Sequence, residues 1–152
     1  AAVKAMCFGL GIKCCGVSTL SALAFSNMAF VGNICSIMKA RGELVYTCSY
    51  KSDSFTVKPI CEEKLISRDE LSKFLALDQE DTLLCGDGAT DFFNNYRSPL
   101  FTLAPPQSRL QNATGVCLAG ASASLMDPEL LEVSYLQKVK AEKDLEYRSK
   151  TN

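Results

Sequence analysis

The sequence predicts a mixed α/β fold in three layers, with helices on both faces of one sheet. Three observations support this class. Strand-like and helix-like patterns alternate along the chain, and consecutive strand patterns near its middle indicate an antiparallel meander. In addition, 47% of the 152 residues are hydrophobic, which is enough to build the core of one globular domain.

The first third of the chain is predicted to form helix, strand, helix and strand. Residues 1–10 are helix formers that end in a glycine-rich sequence. A short buried strand is expected over residues 13–17, and Ser18 is a candidate N-cap for a helix over residues 19–28. Residues 29–38 are mostly apolar, as in a central strand that is buried on both faces.

The middle of the chain predicts the meander. Residues 39–43 are polar and include a glycine, and the β-branched and aromatic residues 44–50 follow them. Another strand is expected over residues 55–61, where Pro59 suits a position at the edge of the sheet.

Helix and strand patterns then alternate again. Ser67 and Glu70 fit the capping box of a helix that runs to about residue 77. The remaining predicted elements, in order, are a strand over 82–85, a glycine turn over 86–89, a helix over 90–96, a strand over 100–103, a helix over 107–125, a short element from residue 127 and a charged tail from residue 137.

Net charge and the absence of histidine exclude several classes of function. The 16 Lys and Arg residues nearly balance the 17 Asp and Glu residues, so the chain has no bulk electrostatic attraction for nucleic acid or anionic lipid. Without histidine, Ser–His pairs, Cys–His pairs and imidazole metal ligation are impossible within this sequence. Catalysis would depend on Asp, Glu, Lys, Tyr or Cys.

The eight cysteines form no C-x-x-C pair, and most have apolar neighbours, as Cys35 and Cys85 do. We expect reduced, buried and inert thiols in a cytoplasmic protein. A disulfide framework, a thiolate metal site and a catalytic cysteine are the alternatives.

Residues 14–38 contain no charged side chain, and the segment is long enough to span a bilayer. However, Asn27 and Asn33 lie within it, together with several glycine and serine residues. We therefore expect strand, helix and strand here, and a membrane anchor is the alternative.

Two turns contain candidate functional residues. The glycines of the 86–89 turn can hold an anion on backbone amides, and Asp87 can ligate a metal or a ribose. Because the turn has no G-x-G-x-x-G sequence, we favour a structural role for its glycines. Arg41 and Glu43 are either a recognition tip or ordinary solvated charges of a hairpin turn.

Several segments match the motifs of a known family in order. They are residues 4–12 (KAMCFGLGI), 16–24 (GVSTLSALA), 40–41 with 45–47, the GDGA turn at 86–89, and 134–138 with 141–142. In these segments the chain resembles the C-terminal portion of the TsaB (YeaZ-like) family, a paralogue of the TsaD glycoprotease-like family. Lys39 and Gly42 depart from the Asp and Arg that this family usually has in its hairpin.

The resemblance implies an actin-like, ribonuclease-H-like fold. Residues 1–25 would form the end of the N-terminal lobe with its linking helix, and residues 26–152 would form the C-terminal lobe. We expect the rest of the first lobe, with its glycine-rich loop, to be encoded upstream of Ala1.

The resemblance also implies a function. TsaB-like proteins pair with a TsaD-type catalytic subunit, which transfers threonylcarbamoyl to the adenosine at position 37 of tRNA. This chain is therefore expected to be a cytoplasmic, non-catalytic scaffold or activator without a metal or cofactor of its own. ATP and metal are expected on partner subunits, which include a TsaE-type ATPase, and tRNA contact is expected only through the complex.

Val3, Met6 and Leu10 share one face of the first predicted helix and are the candidate partner interface. Packing of these side chains against the rest of the first lobe is the alternative, and a homodimer is a further possible assembly. A glycoprotease-like peptidase or an actin-like-fold nucleotide hydrolase is the alternative function, and no membrane contact is expected.

Overall fold

The computed structural model describes residues 2–133 and residue 136. Within this part of the chain, one mixed six-stranded sheet has helices on both faces, which confirms the predicted three-layer α/β class. The elements in chain order are α1 (Ala2–Leu10), α2 (Thr19–Phe25), β1 (Val31–Lys39), β2 (Leu44–Asp53), β3 (Val57–Pro59), β4 (Lys64–Ser67), α3 (Arg68–Asp78), β5 (Thr82–Cys85), α4 (Ala89–Asn95), β6 (Phe101–Leu103), α5 (Pro106–Arg109), α6 (Ala113–Ala121) and a 3₁₀ turn (Pro128–Leu130).

The strand order is β3-β2-β1-β5-β6, and β4 pairs with β2 beside β3. Strand β1 pairs antiparallel with β2 and parallel with β5, so it lies at the centre of a mixed sheet. Strand β6 extends the parallel half. Pro59 lies on the edge strand β3, as predicted, where its missing N–H leaves no bond of the sheet unmade.

The two faces of the sheet bury different helices. On one face, Leu23 and Ala24 of α2 pack against Ile34 of β1 and Cys48 of β2. Helix α6 covers α2 from outside and approaches it closely at Gly115, where a Cβ atom would lie 2.2 Å from the carbonyl oxygen of Ala22.

On the opposite face, Leu71 and Leu75 of α3 and Phe92 of α4 pack against Ile37 of β1 and Leu84 of β5. These five side chains are all buried. The third layer therefore consists of α3 and α4.

Most predicted elements are present, and the hydrogen bonds of the predicted helix caps are formed. Ser67 Oγ accepts from the backbone N–H of Glu70, and Glu70 Oε2 accepts from the backbone N–H of Ser67, which completes the predicted capping box of α3. Helix α1 ends as predicted at Gly11, which has a φ of +63°. There the N–H groups of Gly11 and Ile12 donate to the carbonyls of Phe8 and Cys7, as in a Schellman motif.

The strand expected over residues 13–17 is wrong. Only Cys14 pairs in this segment, through two backbone hydrogen bonds to Met126. Residues 13–17 are mostly apolar because this connection from α1 to α2 is partly buried. The helix expected over 19–28 is also shorter than predicted, because the N–H groups of Asn27 and Met28 bond three residues back in a turn.

The helix expected over residues 107–125 is also wrong, since α5 and α6 are separate. Leu110 is extended, with φ −99° and ψ 161°, and Asn112 is extended as well. The side chain of Asn112 accepts from the N–H of Gly115 at 2.9 Å, so it is the N-cap that begins α6.

The strand expected over residues 55–61 is shorter than predicted, since only β3 forms there. Strand β4 was not predicted.

Among the described residues, no helix is long and apolar enough to cross a membrane. Residues 14–38 form a loop, α2, a turn and β1. The charged tail predicted from residue 137 lies outside the described residues, as does most of the motif at 134–142. The lobe boundary at residues 25 and 26 stays a prediction.

We expect Glu70 to give folding a measurable pH dependence. Hydrogen bonds from the backbone N–H and the hydroxyl of Ser67 hold the pKa of this carboxyl below its usual range. Stabilisation from a lowered folded-state pKa is present above the usual value for glutamate, about 4.3, and is lost as the pH falls through the folded-state value.

The test is urea unfolding of the natural chain and Glu70→Gln across a pH series. Gln keeps the capping geometry but cannot titrate. The natural chain should be more stable at neutral pH, and the difference should shrink as the pH falls below the usual glutamate pKa and the carboxyl is protonated. A difference that does not change with pH would contradict the assignment.

Candidate interaction surface

Helix α1 exposes the three residues that the sequence marked as a partner interface. Val3, Met6 and Leu10 are 69%, 65% and 70% exposed. Their spacing of three and four residues places them on one side of the helix. The structure therefore brings the predicted residues together in one apolar surface, which we call the α1 face (Val3, Met6 and Leu10). Its role as an interface stays a prediction.

Other side chains attach α1 to the rest of the molecule. Cys7 is buried, and Lys4 Nζ donates to the carbonyl oxygens of Glu129 at 3.2 Å and Leu131 at 2.8 Å. These carbonyls lie at and just after the 3₁₀ turn. The helix is thus held from the side of Lys4 and Cys7, while the α1 face remains exposed.

A cleft of about 880 Å³ adjoins α1. Val3 and Lys4 line it from the helix, Met38 lines it from the sheet, and Leu131 lines it from the segment after the 3₁₀ turn. Most of its lining residues are apolar, and Glu63 and Glu132 are the carboxylates among them.

Glu63 is engaged with Ser18 in this cleft. The Ser18 hydroxyl donates to Glu63 Oε1, while Ser18 Oγ accepts from the N–H groups of Leu20 and Ser21. Ser18 is therefore the N-cap of α2, as predicted. Sequence reasoning missed Glu63, because its contact with Ser18 joins residues that are 45 positions apart.

The 86–89 turn has the structural role that the sequence favoured. Gly86 has a φ of +100°, and a Cβ atom there would lie 2.1 Å from the carbonyl oxygen of Ile37. A Cβ atom on Gly88 would lie 2.9 Å from Ile37 Cγ2, and the Gly88 N–H donates to the same carbonyl. Both glycines thus let the turn pack directly against the end of β1.

Asp87 also supports this junction. Its Oδ1 accepts from the backbone N–H of Lys39 at 2.9 Å, at the last residue of β1. Lys39 in turn forms an ion pair with Asp91 of α4 at 2.8 Å, and this contact lowers the pKa of Asp91. A hydrogen bond and an ion pair therefore hold the 86–89 turn, β1 and α4 together, in addition to the packing of the glycines.

The hairpin that contains Arg41 is exposed. Glu43 forms an ion pair with Arg68 at 3.3 Å, and the Arg68 N–H donates to the Glu43 carbonyl at 3.1 Å. This attaches the hairpin to the start of α3. The role of Arg41 as a recognition residue stays a prediction.

The cysteines are free thiols, and all eight lie within the described residues. Burial raises the pKa of Cys35 to about 11 and that of Cys85 to about 12, so both stay protonated at neutral pH. Cys117 is exposed. Among the described residues, no group of three or more His, Cys, Asp or Glu side chains is placed to hold a metal ion.

Two solved structures from Pseudomonas aeruginosa are similar to this chain. One is YeaZ, and the other is an uncharacterised protein with similarity to the peptidase YeaZ. The TM-scores are 0.65 and 0.70, and the alignments cover 88% and 90% of this chain. The chain has the fold of the part of YeaZ that it matches. This confirms the actin-like, ribonuclease-H-like class, and it confirms the TsaB (YeaZ-like) resemblance at the level of fold.

The similarity to YeaZ is one of structure more than of sequence, since identity is 18% in both alignments. This chain spans 65% of the length of YeaZ and 64% of the other protein. No protein-family model matches the sequence, and no curated protein matches it either.

We expect Gly86→Ala to lower the free energy of unfolding by about 3 kcal/mol, because it combines a strained positive φ with a clash against the Ile37 carbonyl. Gly42→Ala is the matched control, since Gly42 has a φ of +65° and open space around its Cα. The control should lose only about 1 kcal/mol, the cost of the left-handed backbone. Urea unfolding measures both values, and equal losses would show that the close approach at Ile37 contributes nothing.

Proposed function

We propose that this chain belongs to a non-catalytic scaffold or activator subunit for the biosynthesis of threonylcarbamoyladenosine at position 37 of tRNA. Two kinds of support agree. The motifs of the TsaB (YeaZ-like) family occur in order along the sequence, and the fold is that of YeaZ. The observation that carries the proposal is the exposed apolar α1 face.

The α1 face is suited to binding another protein. Complete burial of a Val, Leu or Met side chain contributes about 1.5–3 kcal/mol, and Val3, Met6 and Leu10 are each about two-thirds exposed. A partner helix laid along these side chains would remove them from water together. In this proposal the partner is a TsaD-type catalytic subunit, which holds the metal, and a TsaE-type ATPase joins the complex in the cytoplasm.

A peptidase is the competing function, because one structural neighbour is described by its similarity to the peptidase YeaZ. The sequence has no histidine to activate a serine or cysteine nucleophile. Ser18, which lies in the cleft, uses its hydroxyl to cap α2 and to contact Glu63. These contacts explain Ser18 as a structural residue and favour the scaffold.

The pathway is tested by nucleoside mass spectrometry of bulk tRNA from cells depleted of the full-length protein. Threonylcarbamoyladenosine should fall on depletion and return when the natural gene is supplied. Unchanged levels under verified depletion would remove this function and leave the peptidase as the leading candidate.

The role of the α1 face is tested in the same cells by Leu10→Asp. We expect this change to weaken binding to the TsaD-type subunit at least about tenfold, since a charge would be buried in the interface. Leu77→Asp is the matched control, because Leu77 is 84% exposed and also lies in the last turn of a helix. The control should bind and complement normally. Equal binding by both variants would exclude the α1 face as the interface.

A further inference from the structure

Cys48 and Cys61 lie opposite each other across two neighbouring chain segments. The register of β2 and β3 pairs Tyr50 with Pro59, and the Ile60 N–H donates to the Ser49 carbonyl at 2.8 Å. Strand β3 ends at Pro59, and β4 pairs Lys64 with Thr47, so the register opposite β2 shifts by two residues and leaves Cys61 beside Cys48 and Ser49.

A disulfide requires two cysteines on neighbouring segments whose side chains lie on the same side. Both side chains also point to the same face of the sheet, since Cys48 is in the core cluster beneath α2 and Cys61 packs against that cluster. Cys48 Sγ lies 3.2 Å from the Cys61 carbonyl oxygen, and the Ser49 N–H lies 3.5 Å from Cys61 Sγ. The two thiols are therefore neighbours.

The two thiols differ in exposure, and this difference determines which of them an oxidant reaches first. Cys48 is 1% exposed, and burial raises its pKa to about 12, so it remains a protonated thiol. Cys61 is half-buried and lines a cleft of about 750 Å³ that a small oxidant can enter. Cys61 is thus the thiol that reacts first, and Cys48 is the thiol that resolves the product.

We propose that Cys48 and Cys61 are a reversible redox-modification site, at which a peroxide converts the two thiols to an intramolecular disulfide. In the first step, Cys61 sulfur attacks one peroxide oxygen, the O–O bond breaks, and a sulfenic acid and one water form. In the second step, Cys48 sulfur attacks Cys61 sulfur, the S–O bond breaks, and the hydroxyl leaves with the Cys48 proton as a second water. Two thiols are oxidised and one peroxide is reduced.

The bond would tie residues 60–63 to β2. This segment contains Glu63, which contacts the N-cap of α2 through Ser18. Oxidation therefore fixes one wall of the cleft between the sheet and α2, and reduction by a dithiol releases it. This inference is independent of the proposed function.

The other cysteines provide internal comparisons. Cys35 and Cys85 face opposite sides of the sheet, in different core clusters, so they cannot pair without moving the backbone. Cys7 and Cys14 adjoin each other, but both are buried. Cys117 is exposed on α6 and is the matched control for accessibility.

The experiment treats the purified full chain with hydrogen peroxide, unfolds it, alkylates the free thiols and maps the peptides by mass spectrometry. We expect a cross-linked peptide that joins Cys48 to Cys61, with both sites protected from alkylation until dithiothreitol is added. Cys61→Ser should abolish the cross-link, and Cys117→Ser should leave it unchanged.

Three outcomes would overturn the proposal: Cys61 recovered as a sulfinic acid with Cys48 alkylated, a cross-link between Cys7 and Cys14 in its place, or no oxidation of Cys61. Circular dichroism of Cys61→Ser distinguishes loss of the site from loss of the fold. As a second measurement, oxidation should raise the Tm of the natural chain by about 5 °C, as expected for closing so short a loop. The same treatment should not raise the Tm of Cys61→Ser, and a rise of equal size there would also contradict the assignment.

Discussion

The fold depends on strand β1 being buried on both faces. Ile34 and Ile37 are fully buried on opposite sides of it, and one long edge pairs antiparallel with β2 while the other pairs parallel with β5. A polar side chain at the centre of the strand contributes as well. Ser36 Oγ donates to the Leu20 carbonyl at 2.8 Å, and Thr47 Oγ1 donates to the Ser36 carbonyl at 2.9 Å. These buried bonds fix both the register of β2 and the position of α2, because each would be costly to leave unmade.

The end of β1 explains why a motif that looks like a ligand loop is part of the architecture. The 86–89 turn packs directly against Ile37, and a Cβ atom at position 86 or 88 would meet that residue at 2.1 Å or 2.9 Å. Its carboxylate, Asp87, accepts from the last N–H of the strand. Glycine and aspartate after a buried strand are therefore explained here by packing against a neighbouring strand. This leaves the exposed α1 face as the more informative feature for function.

The sequence predicted those elements whose signals are local. Ser67 and Glu70 are three residues apart, and the short apolar runs that form β1 and β5 are recognised without a distant partner. What it missed depends on distant contacts. The pairing of Cys14 with Met126 and the contact of Glu63 with Ser18 join segments that no local pattern connects. The break before α6 was missed for another reason: Asn112 is an N-cap within a stretch whose small, helix-compatible residues conceal it.

The attachment of α1 has a consequence for how the chain is made. Lys4 is anchored by carbonyls that lie 125 and 127 positions further along the sequence. At a synthesis rate of about 5–20 residues per second, α1 would wait on the order of 10 s before its anchor leaves the ribosome. During that interval its apolar side chains remain accessible to chaperones. Helix α1 is thus synthesised well before the segment that fixes it in place.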